Sequence, residues 1–185
     1  SSGKIRLTVA GISAAVNDYE TTPNSFTYTV QVKDAANKVT EADVTLSVTN
    51  VNEAPVITSA ATATVAENAA ASTVVYTAAA SDVDAGDTRT FSLSGADAAL
   101  FNIDSATGAV TLKASANFEA KSAYNINVVA TDAGGLTATQ AVVVNVTDVN
   151  EAPVITSAAT GTVAENAAVS TVVYTATATD VDAGD

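Results

Sequence analysis

Period-two alternation of apolar and polar residues runs through most of the chain. In Tyr124–Thr131 one face carries Tyr124, Ile126, Val128 and Ala130, and the other carries Asn125, Asn127, Val129 and Thr131. Residues 26–33 repeat the pattern, with Phe26, Tyr28, Val30 and Val32 against Thr27, Thr29, Gln31 and Lys33. A following strand points Val142, Val144 and Val146 inward, matched earlier by Val44, Leu46 and Val48. Alternation of this kind marks β-strands with one covered and one solvated face, the usual condition of an antiparallel sheet. Helical spacing holds nowhere for more than a turn, despite the many alanines. Between Ala54 and Val149 seven strands are predicted. They are Val56–Thr58 with a continuation at Thr64–Ala66, then Thr73–Ala80, Arg89–Ser94, Phe101–Ile103, Ala109–Lys113, Tyr124–Thr131 and Thr137–Thr147. The turns between them are rich in Gly, Asp, Ala and Ser.

The block Asn50–Asp87 returns as Asp148–Asp185 with five differences, an offset of 98 residues. That period is too long for a solenoid unit and is the size of one whole sandwich domain. The fold class is therefore all-β, a tandem array of seven-stranded Greek-key sandwiches of immunoglobulin-like type. Residues 1–51 form the C-terminal half of one repeat, 52–149 a complete repeat, and 150–185 the N-terminal part of a third. Within 1–51 three strands are expected, the first by the match of Gly3, Ile5 and Leu7 to Gly108, Val110 and Leu112, with loop insertions at Ala10–Asn17 and Thr21–Ser25. Residues 152–185 are expected to supply two strands.

Charge narrows the partners. Twenty acidic against seven basic residues give a net charge of −13. Nucleic acid and anionic membrane surfaces need Lys and Arg, so the balance argues against both as partners and favours cations. With no Cys and no His, thiol catalysis, His-based acid–base chemistry and most zinc or copper sites are ruled out. No apolar run approaches the ~18 residues of a membrane span, and the first residues do not read as a signal peptide. Asn145-Val146-Thr147 has the form of a glycosylation sequon but lies inside a predicted strand.

The carboxylates gather around the linkers. Asp148, Asn150 and Glu151 precede Ala152-Pro153, and Asp180, Asp182 and Asp185 follow in a DVDAGD loop; Glu67 and Glu119 flank the complete repeat's strands. In a sandwich, loops and strand ends collect at two poles, so a linker and the loop of the next repeat meet. Carboxylates brought together there repel unless a hard divalent cation sits among them. The loop is not an EF-hand: Gly86 stands fifth rather than sixth, and Leu93 stands where the bidentate Glu is needed.

Five elements recur in fixed order: Ala66-Glu67-Asn68, Asp82-Val83-Asp84, the run Phe101–Val110, Asn117-Phe118-Glu119 with Thr131-Asp132-Ala133-Gly134, and the linker Asp148–Pro153. That order resembles cadherin repeats, in the form carried by large bacterial surface and secreted proteins. The resemblance implies Ca²⁺ between successive repeats. At the second junction it implies carboxylates from Glu67, Glu119, Asp148, Glu151, Asp180 and Asp182. It adds the amide oxygen of Asn150 and the backbone carbonyls of Val149, Ala152 and Asp185. At the first junction the implied set is Asp18, Glu20, Asn52, Glu53, Asp82, Asp84 and Asp132. Departures are visible: Asn50 replaces the linker's first Asp, Asn117 replaces the Asp of the usual DxE, and Glu53 and Glu151 stand where Asp is common. Fewer or weaker ions are expected at the first junction. The reading is a non-enzymatic, extracellular or cell-surface array stiffened by calcium, acting in adhesion or as a spacer, with other cell-surface proteins or polysaccharide as partners. The alternative is a carbohydrate-binding or accessory module of a secreted polysaccharide-degrading enzyme.

Overall fold

A computed structural model describes residues 18–21 and 23–182. The expected first strand of residues 1–51, the insertion at Ala10–Asn17 and the ligand Asp185 lie outside them. The chain divides into two compact units. The first holds the described residues up to Ile57 together with Ala80–Thr90 and Ala130–Ala138; the second holds Thr58–Ala79, Phe91–Val129 and the residues from Thr139 onward.

In the first unit β1 (Ser25–Lys33) and β2 (Val39–Ser47) form an antiparallel hairpin in which Phe26 faces Leu46, Tyr28 faces Val44 and Val30 faces Ala42. The turn is closed by Asp34, whose Oδ1 accepts the N–H groups of Ala36 and Lys38 at 2.8 Å, with Asn37 at a φ of 67°. The apolar face of this hairpin is only partly covered: Phe26, Val30 and Val44 are half-buried and Tyr28 and Val32 are exposed. The same unit contains a short antiparallel ladder of β3 (Val56–Ile57) with β6 (Ala80–Ser81).

The second unit carries most of the core. One sheet runs in the order β4-β11-β10-β7, built from β4 (Thr62–Ala66), β7 (Thr90–Ser94), β10 (Ala123–Thr131) and β11 (Thr137–Thr147). The other runs β5-β9-β8, from β5 (Val74–Thr77), β8 (Phe101–Ile103) and β9 (Ala109–Leu112). Tyr124, Ile126, Val128 and Ala130 are all buried, as the alternation of β10 requires, and Val142, Val144 and Val146 are buried beside them. Phe101 meets the Tyr124 ring edge-on at 5.4 Å between centroids, a favoured aromatic geometry. Deleting a side chain such as Ile126 from a core this close-packed costs about 2–5 kcal/mol.

Three details depart from the strand reading. First, β4 pairs with β11 in parallel, Thr62 opposite Val143 through Ala66 opposite Thr147, whereas an antiparallel sheet was expected. The chain crosses from β3 to β4 through Thr58–Ala61, pinned where Tyr76 donates its hydroxyl to Ala60 O at 2.7 Å and Gln140 donates to Ser59 O at 2.9 Å. Second, the expected strand Thr73–Ala80 breaks into β5 and β6. A register shift falls between Val74 and Tyr76, and Ala78 N–H instead bonds to Gly108 O at 2.9 Å. Third, residues from 152 onward form only a two-residue ladder, β12 (Val154–Ile155) with β13 (Ala178–Thr179).

Candidate metal centre

Among the described residues, four groups of acidic side chains bring their oxygens within 4.8 Å of one another. Glu20, Glu53 and Asp84 form one, and Asp82, Asp84 and Asp87 a second; both lie inside the first unit. Glu67, Glu119 and Asp148 form a third, and Glu119, Glu151 and Asp182 a fourth; both lie inside the second unit.

The first junction is organised around Asp84, which is buried. Asp82 sits at the end of β6 and its Oδ1 accepts the Asp84 N–H at 3.1 Å, the short-range bond of an Asx turn. Asp84 Oδ2 accepts the Glu53 N–H at 2.9 Å, and its Oδ1 accepts Asn50 Nδ2 at 2.8 Å. Asn52 donates Nδ2 to Asp132 Oδ2 at 2.8 Å, while Asp132 Oδ1 takes the Leu136 N–H at 2.8 Å. Burial opposes charge at Asp132, but the Asn52 amide and the N–H groups of Leu136, Gly135 and Gly134 outweigh it and hold the carboxyl below its ordinary value. Glu53 moves the other way. Partial desolvation, then the charges of Glu20, Asp84, Asp18 and Asp82, push it up. Asp18 accepts the Glu20 N–H at 3.1 Å and the Thr21 hydroxyl at 3.3 Å, which orients the segment that presents Glu20.

At the second junction Glu67 is almost fully buried, with 2% exposure. Its two oxygens accept the N–H groups of Phe118 at 2.9 Å and Val149 at 2.8 Å, tying the end of β4 to the linker. These two donors hold its carboxyl below the ordinary value. Asp148 is pushed up, first by desolvation and then by the charges of Asp182 and Glu67. Desolvation, with the charges of Glu67, Asp182 and Glu119, also raises Glu151, although Asn68 Nδ2 donates to its Oε1 at 2.5 Å. Asn68 takes the left-handed conformation at a φ of 57°, as does its counterpart Asn166. Asp180 Oδ1 accepts the Asp182 N–H at 3.1 Å, Asp182 Oδ2 accepts the Glu151 N–H at 2.8 Å, and Asn150 donates to Glu151 O at 2.8 Å.

The donor set fits calcium on two grounds. Every candidate side chain offers hard oxygen, and in each group the oxygens lie close enough together to share one ion. Among the described residues, three buried carboxylate oxygens also lack any hydrogen-bond partner: Asp82 Oδ2, Glu151 Oε2 and Asp182 Oδ1. A buried carboxylate oxygen without a donor is costly, and a cation would satisfy all three. Asp87 adds to the residues that the resemblance implies at the first junction; the signal for it is that it lies 98 residues before Asp185.

The fold is similar to that of cadherin extracellular β-sandwiches. The sequence profile of the Cadherin domain matches residues 61–147. Human protocadherin beta-1 is 38% identical over 108 residues, covering 55% of this chain and 13% of that protein. Among solved structures, protocadherin gamma B7 extracellular cadherin domains 1–4 superpose with a TM-score of 0.61 at 28% identity, covering 86% of this chain and 41% of that one. Human protocadherin-24 EC1-2 gives 0.60 at 25% identity, over 73% of this chain and 64% of that one. The chain thus spans only part of each relative's length.

Proposed function

We propose that this chain is part of a calcium-stiffened extracellular repeat array that acts in adhesion or as a spacer on a bacterial surface or matrix protein. The observation that carries the reading is the set of buried, partnerless carboxylate oxygens at the two linkers. At the first junction Glu20, Asn52, Glu53, Asp82, Asp84, Asp87 and Asp132 would hold the ions, with Asp18 orienting Glu20. At the second, Glu67, Glu119, Asp148, Asn150, Glu151, Asp180 and Asp182 would do so, with Asp185 and the carbonyls of Val149 and Ala152. Calcium supplies charge neutralisation and multidentate bridging there. The chain's own residues supply a preformed cage, since Glu67 and Asp182 are already fixed by backbone N–H groups of the linker.

The repeat boundaries proposed on this basis remain 1–51, 52–149 and 150–185. The bacterial setting rests on the form of the linkers and the near-identity of successive repeats. Extracellular placement is supported by the similarity to cadherin extracellular domains. Among the described residues no helix is long and apolar enough to cross a membrane. Cell-surface proteins are the partners this reading favours. A polysaccharide platform would need exposed rings, and Tyr76, Phe91, Phe101 and Tyr124 of the complete repeat are buried. Small-angle scattering on a chain of two or more complete repeats tests the proposal. Calcium should give a longer and better-defined maximum dimension than chelator; superimposable profiles would refute it.

A further inference from the structure

The DVD loop and linker glutamate make the same backbone contacts at both junctions and differ there at one carboxylate oxygen. In both, the second Asp of the DVD loop is fixed by its predecessor, Asp84 N–H on Asp82 Oδ1 and Asp182 N–H on Asp180 Oδ1, each at 3.1 Å. In both, its Oδ2 accepts the N–H of the linker glutamate, from Glu53 at 2.9 Å and from Glu151 at 2.8 Å. The other oxygen parts company. Asp84 Oδ1 accepts Asn50 Nδ2 at 2.8 Å. Asp182 Oδ1 is buried and has no partner, because the residue matching Asn50 is Asp148, whose carboxylate has nothing to donate. Of the five positions that differ between the two copies of the block, this is the one that changes charge.

We propose that the Asn50 amide is a built-in substitute for a calcium ion: at Asp84 Oδ1 it fills the position that a cation fills at Asp182 Oδ1, so the two junctions bind unequal numbers of ions. The inference rests on the calcium reading above. Each junction must quench the carboxylate that its linker glutamate holds in place. The second does so only when a divalent cation arrives, and Asp148 adds a ligand for it. The first does so with a neutral donor at hydrogen-bond distance, which leaves the Asp82 side of the cluster, where Oδ2 is partnerless, as its calcium-seeking face. An ion approaching Asp84 Oδ1 must displace the amide, and it finds one carboxylate fewer. Calcium affinity follows ligand charge count, so the second junction fills at lower calcium, and the first keeps part of its order when calcium is withdrawn.

Native mass spectrometry and calcium titration calorimetry on the whole chain test this, with Asn50→Asp, Asn50→Ala and Asp148→Asn beside the wild type, and with melting curves in chelator. Asn50→Asp should add one bound ion, or tighten the weakest class by about tenfold through its added carboxylate. Asp148→Asn should remove one ion. Asn50→Ala separates substitute from ligand: calcium affinity should hold or rise, while the melting temperature in chelator falls. Weaker calcium binding by Asn50→Ala would mean that Asn50 coordinates through Oδ1, and would overturn the proposal, as would an unchanged ion count and affinity in both Asn50→Asp and Asp148→Asn. A wild-type chain that binds no calcium would instead bring down the calcium reading itself.

Discussion

Withdrawal of calcium should cost the complete repeat a large part of its stability. The partnerless oxygens fall at both linkers, Asp82 Oδ2 at the first and Glu151 Oε2 and Asp182 Oδ1 at the second, so the proposed reading places at least one ion at each. A ligand that binds only the folded state stabilises it by RT ln(1 + [L]/Kd), about 2.7 kcal/mol per site at 100 times Kd. For a folding unit of about 100 residues, 1 kcal/mol moves the melting temperature by about 4–8 °C, so one saturated site raises it by about 10–20 °C. Differential scanning calorimetry in chelator and across a calcium series up to tens of millimolar would measure this, since extracellular modules bind at about 10⁻⁴–10⁻³ M. Magnesium should do much less, because it requires near-ideal octahedral geometry and gives up water reluctantly. A melting temperature indifferent to calcium, or raised equally by magnesium, would refute the reasoning.

Asp182→Ala should weaken calcium binding at the second junction, whereas Asp104→Ala should leave it unchanged. Asp104 accepts the N–H groups of Ala106 and Thr107 in a turn away from both clusters, so equal calcium affinities in calorimetry would break the assignment. Gly108→Ala should destabilise the fold more than Gly135→Ala. Both have positive φ, but a Cβ at Gly108 would lie 2.4 Å from Ala78 O, while Gly135 has open space around it. The shared conformational cost is about 1–2 kcal/mol, and chemical denaturation showing equal losses would remove the steric argument. Asp97 is held below its ordinary 3.8 by the Lys121 ammonium at 2.5 Å and the Asn125 N–H. Its depressed carboxyl contributes stability that is full above the unfolded value and is lost as pH falls through the folded one. In chelator, Asp97→Asn should therefore show a shallower loss of stability below pH ~4 than the wild type; parallel curves would count against it.

What alternation can tell is which face of a strand needs covering, and this is why Tyr124, Ile126, Val128 and Ala130 were legible as core. The same pattern at Phe26, Tyr28, Val30 and Val32 leaves Tyr28 51% and Val32 67% exposed, because periodicity names the face to be covered and not how far it is covered. Nor does it carry strand direction, so the parallel seating of β4 on β11 was out of reach. The break after Thr77 depends on Gly108 closing on Ala78, a contact thirty residues away in sequence that no local signal marks.

The acidic poles were legible for a different reason. Carboxylates clustered at both linkers are visible in the sequence whatever the strand geometry, and the 98-residue offset places each against its counterpart. Offset alone treats the exchange of Asn50 for Asp148 as the loss of one ligand. Geometry gives it a sign. An amide nitrogen and a carboxylate oxygen are nearly equal in size and leave strand pairing and burial untouched, yet one donates to Asp84 where the other can only face Asp182 as a second acceptor. Substitution between them therefore decides whether the linker is quenched from within the chain or from solution. Sensitivity to calcium along such an array would then be set repeat by repeat, through a residue that the fold itself does not constrain.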